Sequence, residues 1–300
     1  MSVRFLLVLA SLAVLLQSPA RASDLQLCTK DMAAPQTRVG ACTRAIAKPP
    51  RGVELWALYF ARGNAWLANG RQVDRALTDF REASRLAPQN FVARNNLANA
   101  HFMLGDFENA VAVATAAIPL NPKSGIPYLI RGSAWQERGD FEKALDDYDK
   151  ALQIDPRNTT VLLVRGRLSE TREEFDQAIA DYNSAVRLDP RNGSAYADRG
   201  RVRRKLGDLN KALADQNLAI RVGRRDLQHR FLSARGDTYR YRGDYKLALA
   251  DYDVSLRFDP AWLPALVGRG LTYERMGDVH KAIDAFRAAL SARDQEANIL

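Results

Sequence analysis

Arginine and aspartate recur in register along this 300-residue chain, and their side chains could bind a charged ligand or one another. Where Leu97 stands in place of the arginine, Val113 stands in place of the aspartate, so the two positions change together. A guanidinium can hold a carboxylate through two parallel hydrogen bonds, which suits either a ligand-binding ladder or internal ion pairs. The paired change favours internal ion pairs with a structural role. The arginines are Arg62, Arg131, Arg165, Arg199, Arg235 and Arg269, and the aspartates are Asp79, Asp147, Asp181, Asp215 and Asp251.

A second group of cations has no such partner in the sequence. Arg201, Arg204 and Lys205 lie at helical spacing with no acidic residue among them. Exposed cations of this kind would suit the acidic side chains or the carboxylate of a partner. The alternative is a solvated helix face that binds nothing.

Amide and apolar side chains form a third candidate group. Asn95 and Asn99 are four residues apart, so they share one face of a helix. Asparagine amides can donate to and accept from a peptide backbone without reading its side chains. Phe102 and Met103 follow directly, and the same segment would suit an extended or helical peptide. A merely solvated face is again the alternative.

Catalytic and metal-binding constellations are not visible in the sequence. His101, His229 and His280 do not have metal-ligand spacing, and the chain has no phosphate-binding loop and no dinucleotide fingerprint. The sequence therefore predicts a protein that is not an enzyme and that uses no cofactor and no metal.

The elements that would position these side chains repeat at a fixed interval. Prolines recur at steps of 34 residues, and small residues, glycines and aromatic residues recur in register with them. Small residues let two helices approach closely, and a proline closes each unit, so one unit is predicted to be a pair of packed helices. The series begins with Pro88, Pro122, Pro156 and Pro190 and resumes at Pro260; the units are 56–90, 91–124, 125–158, 159–192, 193–228, 229–262 and 263–296.

This pattern resembles the tetratricopeptide repeat family over 56–296. The resemblance implies an all-α solenoid, a right-handed superhelix of about seven helical hairpins. It also implies a concave groove that is lined by the first helix of each unit and binds other proteins. Under the resemblance, the groove has an apolar, amide-bearing end and a basic end. Its predicted residues are Phe60, Asn64, Asn95, Asn99, Phe102, Met103, Arg167, Arg201, Arg204, Lys205, Arg230, Arg240 and Tyr241.

Some members of the family clamp the C-terminal carboxylate of a partner with cations and asparagines in three successive units. In this sequence Asn64 and Asn96 match that pattern, but Phe60, Ile126 and Ile130 occupy the positions of the cations. A clamp of that kind is therefore not expected in the first three units.

The N-terminal 55 residues are predicted to hold two different segments. Residues 1–22 have a basic start, a 12-residue apolar run and an A-x-A site, which is typical of a signal peptide cleaved between Ala22 and Ser23. An uncleaved anchor is the alternative. Residues 23–55 read as a degenerate capping unit, whose two helices a Cys28–Cys42 disulfide would join, although two free thiols remain possible.

The predicted localisation and the net charge limit the kinds of partner that this protein could bind. The signal peptide predicts a soluble protein with no transmembrane segment after cleavage, in the periplasm or outside the cell. Loss of the signal peptide lowers the net charge from +9 to +7, which favours anionic partners. A partner protein or peptide with acidic character is the leading expectation, and nucleic acid is not expected. An anionic cell-surface polymer, or self-association through the C-terminal end and the 297–300 tail, is an alternative.

Two departures from the repeat are predicted to change the local backbone. Glu173 replaces the turn glycine of the fourth unit. Residues 222–226 lengthen the closure of the fifth unit, and Gly223 is expected to end the helix there with a positive φ. That junction could be a hinge or a harmless length variant.

Overall fold

The computed structural model describes residues 19–29 and 33–297, and these residues form α-helices joined by short turns. Contacts divide the chain into two compact units, 1–155 and 156–300, called here the N-terminal and C-terminal halves. The helices of the N-terminal half are α1 Pro19–Thr29, α2 Pro35–Ala47, α3 Leu55–Ala68, α4 Val73–Leu86, α5 Phe91–Met103, α6 Phe107–Ala117, α7 Ile126–Glu137 and α8 Phe141–Ile154. Those of the C-terminal half are α9 Thr159–Thr171, α10 Phe175–Leu188, α11 Gly193–Lys205, α12 Leu209–Val222, α13 Gln228–Arg242, α14 Tyr245–Phe258, α15 Leu263–Met276 and α16 Val279–Ala297.

Within each half the helices pair as consecutive hairpins. Each helix packs against its neighbours in the chain, and the first helices of adjacent hairpins also touch one another. In the C-terminal half these contacts join α9 to α11, α11 to α13 and α13 to α15. The described residues contain no β-strand, and the predicted all-α solenoid of helical hairpins is confirmed.

Side-chain caps explain where several helices begin. The side chains of Asn90, Asn158 and Asn192 accept hydrogen bonds from backbone N–H groups in the first turns of α5, α9 and α11. An aspartate side chain caps the second helix of three hairpins, at Asp106, Asp208 and Asp278. In two others the aspartate side chain makes no cap bond: that of Asp140 pairs with Lys143, and that of Asp244 pairs with Arg242.

The turn between the two helices of a hairpin needs a left-handed residue. Glycine supplies it in several hairpins, for example Gly207 with φ of 80°. Glu173 takes the same conformation, with φ of 63°, in the turn between α9 and α10. A side chain with a Cβ is strained there, so this turn is less favourable than those of its neighbours.

Close packing between the two helices depends on a glycine beneath an aromatic ring. A Cβ at Gly166 would lie 2.7 Å from the ring of Tyr182, and one at Gly236 would lie 2.8 Å from the ring of Tyr252. Both rings are fully buried. The fifth hairpin departs from this arrangement, because Gln216 occupies the position of the ring.

The junction after α12 corrects one expectation. Gly223 has φ of −74° and ψ of 160°, which is ordinary extended backbone rather than the predicted positive φ. The residue must be small for a different reason: a Cβ would lie 2.2 Å from the ring of Phe231 and 2.4 Å from the carbonyl oxygen of Ala219. Residues 225–227 then form one 3₁₀ turn before α13 begins.

The N-terminal hairpin contains the predicted disulfide. Cys28 of α1 and Cys42 of α2 are bonded and fully buried, which confirms that pairing. Helix α1 starts at Pro19, four residues before the predicted new N-terminus at Ser23. The apolar run of the predicted signal peptide and residues 298–300 of the predicted tail lie outside the described residues. Over the described ranges, no helix is both long and apolar enough to cross a membrane.

Candidate functional site

The regular arginines form internal ion pairs, as the paired changes in the sequence indicated. In each of five hairpins the guanidinium holds the carboxylate of the second helix through two hydrogen bonds; for Arg131 and Asp147 these are 2.8 and 2.7 Å long. The carboxylates are almost fully buried. The structural interpretation is therefore confirmed for the pairs Arg62–Asp79, Arg131–Asp147, Arg165–Asp181, Arg199–Asp215 and Arg235–Asp251.

The same arginines also connect one hairpin to the one before it. The remaining Nη1 group of Arg131 donates to Thr115 Oγ1 at 3.0 Å, and that of Arg199 donates to Asn183 Oδ1 at 2.8 Å. Arg269 has Ala285 at the position of the aspartate in its own hairpin, and it contacts Asp253 of the preceding helix at 3.3 Å. The sequence-based interpretation missed these acceptors, which recur two residues after the aspartate position.

A cavity of about 180 Å³ opens in the C-terminal half on the face where α9, α11 and α13 meet. We call it the arginine-lined cavity. Its charged lining consists of Arg167, Arg201, Arg204, Arg230, Asp198 and Asp237, and Gln216 and Trp262 also contribute. The volume lies below the ~300–1,000 Å³ that is typical of small-molecule sites, so it suits a group the size of one side chain.

Buried carboxylates hold part of the cationic lining in place. Asp198 pairs with Arg167 at 2.7 Å and with Arg201 at 3.0 Å. Glu170 of α9 pairs with Arg201 at 2.7 Å and with Lys205 at 3.0 Å. No acid lies among Arg201, Arg204 and Lys205 in the sequence, but Arg201 and Lys205 are paired in the structure. Asp198 lies three residues before Arg201 on α11, and Glu170 comes from the preceding hairpin.

This network fixes the charge states of its members. Burial alone would disfavour ionised Glu170, but its hydrogen bonds from Arg201 and Lys205 outweigh that effect and hold its pKa below the ordinary value. Burial likewise opposes the charge of Arg201, and the two carboxylates more than compensate, so its pKa is raised. Glu170 is 5% exposed, whereas the side chains of Arg201 and Lys205 are 39% and 43% exposed, so a buried carboxylate meets two partly exposed cations and ties α9 to α11.

Two arginines of the cavity are left without a carboxylate. Within the part of the chain that the structure describes, neither Arg204 nor Arg230 forms an ion pair. The guanidinium of Arg204 lies 4.8 Å from the ring centre of Tyr241, and that of Arg230 lies 5.8 Å from Trp262. The Nε atom of Arg204 is buried and has no hydrogen-bond acceptor. These two cations are available to an anionic group.

Gln216 adds an unsatisfied acceptor to the same cavity. Its side chain is 1% exposed, and its Nε2 group donates to Ala234 O at 3.1 Å and to Thr238 Oγ1 at 2.7 Å. The carbonyl of Ala234 can only accept, so the orientation of the amide is fixed. The Oε1 atom is buried and has no donor. A buried polar atom without a partner is costly, and it marks a place where a ligand could donate.

The remaining predicted residues of the basic end lie around this cavity or next to it. Tyr241 is 60% exposed, and the guanidinium groups of Arg204 and Arg240 lie 4.8 and 5.0 Å from its ring centre. Arg240 contacts Asp237, at 3.4 Å. Lys205 faces Glu170 and does not line the cavity.

The predicted apolar end belongs to the N-terminal half and is more closely packed than expected. The ring of Phe60 packs on Phe80 with centres 5.9 Å apart, and that of Phe102 packs on Phe107 at 5.7 Å. Asn99 contacts the Met103 sulfur at 3.7 Å. Asn64 is half-buried on α3, and the Oδ1 atom of Asn95 is buried without a partner. Their role in binding stays a prediction.

One signal in the sequence could have located the cavity. The position of Gln216 is aromatic in five other units, at Phe80, Tyr148, Tyr182, Tyr252 and Phe286. In the second unit the residue is Ala114, and Phe102 packs against that region. In the fifth unit Gln216 lies beside Gly200, and the space that a ring fills in other units is part of the cavity. The replacement of a recurring aromatic core residue by Gln216 thus indicated where the cavity lies.

Metal binding finds no support in this part of the protein. No cluster of three or more histidine, cysteine or carboxylate side chains occurs among the residues that the structure describes.

Comparison with protein families places the chain in a known class. Family models described as "Tetratricopeptide repeat" match residues 60–125 and 163–228, residues 127–158 and residues 263–296, together about two thirds of the chain. The chain belongs to the tetratricopeptide repeat family. Residues 229–262, between two of these matches, form the hairpin of α13 and α14. A search of the curated proteins finds no match.

Solved structures show the same fold at low sequence identity. A tetratricopeptide repeat protein from Parabacteroides merdae superposes with a TM-score of 0.64 at 21% identity, over 79% of this chain and 93% of that one. The APC/C hetero-tetramer Cut9–Hcn1 gives 0.66 at 17% identity, over 79% of this chain and 48% of that one. Pseudomonas aeruginosa pilF gives 0.57 at 18% identity, over 69% and 97% of the two chains. Membership of the family supports a role as a scaffold for protein–protein interaction.

Proposed function

We propose that this protein is a non-enzymatic interaction scaffold of the cell envelope, which binds a segment of a partner protein on the face of α9, α11 and α13. The observation that supports this role is the arginine-lined cavity, an opening with unsatisfied polar atoms in hairpins that are otherwise closely packed. Exposed Tyr241 lies beside it and offers a large aromatic surface, which is typical of protein interfaces.

The charge pattern favours a protein partner over an anionic polymer. A polymer would be attracted by many exposed, unpaired cations in a row. In this face Glu170 and Asp198 form ion pairs with Arg167, Arg201 and Lys205, which leaves a small number of unpaired cations in a defined pocket. Selective recognition of one group suits a protein segment better than a uniform polyanion.

The envelope location rests on the predicted signal peptide and is tested separately. The full chain, expressed with a C-terminal tag in a Gram-negative host, should be recovered from the periplasmic fraction. Its N-terminal sequence should begin at Ser23. Recovery of an uncleaved chain in the cytoplasm would contradict this part of the proposal.

Site-specific photo-crosslinking tests the binding face. A photoreactive amino acid at Tyr241 is expected to give an adduct with a discrete partner protein in intact cells. The matched control carries it at Arg187, an exposed position on α10. The same adducts from both positions, or none from Tyr241, would argue against this face.

A further inference from the structure

We infer that the arginine-lined cavity receives one acidic residue of the partner segment, with its side-chain carboxylate on Arg204 and Arg230 and an N–H group on Gln216 Oε1. This inference rests on the proposed function and deepens it, since it specifies the chemistry of the group that the cavity recognises.

The charge of the lining supports a carboxylate. Four arginines face two aspartates in the cavity. Asp198 is already shared by Arg167 and Arg201, and Asp237 accepts from Tyr252 Oη at 2.8 Å and contacts Arg240. The charge that remains is therefore positive and is centred on Arg204 and Arg230. Arginine binds carboxylates through charge-assisted hydrogen bonds, which are the stronger kind.

The unsatisfied atoms define a complementary pair. Arg204 Nε needs an acceptor and Gln216 Oε1 needs a donor. An amino-acid residue carries both, because a side-chain carboxylate lies a few bonds from a backbone N–H. An anion without a donor, such as chloride or sulfate, would satisfy the arginine and leave the glutamine unsatisfied. The cavity also has an apolar side, formed by Leu227, Phe231 and Trp262, which suits the methylene groups of such a residue.

The fifth hairpin has Gln216 where most other hairpins have an aromatic ring, and this difference explains why the cavity exists. It also suggests a variant that should fill the cavity without disturbing the fold. In Gln216→Tyr the new ring should lie beside Gly200 as Tyr182 lies beside Gly166. It would fill the cavity with the residue type that other hairpins already use, so the helical fold should be retained. Circular dichroism checks this directly.

Anisotropy of labelled hexaglutamate, measured with the full chain at physiological ionic strength, tests the inference. The probe is expected to bind, and hexaglutamine is not. Gln216→Tyr and the double variant Arg204→Gln/Arg230→Gln should each weaken binding by about tenfold or more, because each removes charge-assisted bonds or the space for them. The control Arg187→Gln/Arg191→Gln removes two exposed arginines elsewhere in the same half and should change affinity by less than about threefold.

Each other outcome overturns the inference. Equal losses in the control would show general attraction to a basic protein, and unchanged binding by Gln216→Tyr would show that the cavity is not used. Free glutamate that displaces the probe as well as unlabelled hexaglutamate does would assign the cavity to a free amino acid instead. Failure of the wild type to bind the probe would also contradict it.

The two proposals can fail separately. A partner that crosslinks to Tyr241 and is retained equally by Gln216→Tyr would refute the cavity and leave the scaffold function standing. Hexaglutamate binding that depends on the cavity, with no crosslinked partner, would support the cavity and refute the scaffold function.

Discussion

Breaking one buried ion pair of the arginine series should destabilise its hairpin strongly. In Asp147→Asn the side chain keeps its shape but loses its charge. Asp147 is 2% exposed and accepts two bonds from Arg131, whose side chain is 17% exposed. The amide of asparagine would present a donor to a guanidinium donor and leave the cation without an anion in a largely buried site. Removal of one partner from such a pair costs about 3–5 kcal/mol.

The chain contains a matched control for that variant. Arg269 belongs to the same series, but its contact with Asp253 is a single bond of 3.3 Å and the Asp253 side chain is 49% exposed. Asp253→Asn should therefore cost less than about 1 kcal/mol. A second control, Arg131→Leu/Asp147→Leu, removes both charges and should recover much of the lost stability, because no uncompensated charge remains.

Hydrogen exchange of the full chain gives the local free energy of opening for α7 and α8. Repeat arrays need not unfold in one step, so a local measurement is preferable to a single unfolding midpoint. Protection of α7 and α8 should fall in Asp147→Asn, whereas protection of α14 and α15, which hold Asp253 and Arg269, should stay near the wild-type level in Asp253→Asn. Similar small effects of the two variants would refute the argument that burial makes this series structural.

Three further predictions concern other parts of the chain. Replacement of Cys28 and Cys42 by serine should destabilise the N-terminal hairpin by about 3 kcal/mol, the chain-entropy value for a loop of this length, and proteolysis should then start there. The pKa of Glu170 is lower in the folded state than in the unfolded chain, so its contribution to stability is present above the unfolded value of about 4.3 and is lost as pH falls through the lower folded value. Glu170→Gln should therefore remove this loss of stability, which urea titrations from pH 7 to 3 would measure. Glu173→Gly should stabilise the chain by about 1 kcal/mol in urea unfolding, because glycine adopts the positive φ without strain, and a loss of stability would contradict this.

The repeat, its internal ion pairs and the disulfide could be predicted from the sequence. The hairpin elements, the ion pairs such as Arg131–Asp147 and the Cys28–Cys42 bond follow from spacing along one or two adjacent helices. Such contacts are set by helix periodicity and by the register of the repeat, which the chain displays directly. The paired change of Leu97 and Val113 even indicated which arginines have a structural role.

The cavity was decided by tertiary structure. Glu170 and Arg201 are 31 residues apart and meet only because α9 packs on α11, so their mutual neutralisation is invisible in either helix alone. Gly223 likewise owes its place to the ring of Phe231 and not to its own φ. The sequence determined the hairpins because local spacing specifies them. Which cations stay free depends on side chains of the neighbouring hairpin, such as Glu170, and only the packed structure fixes those contacts.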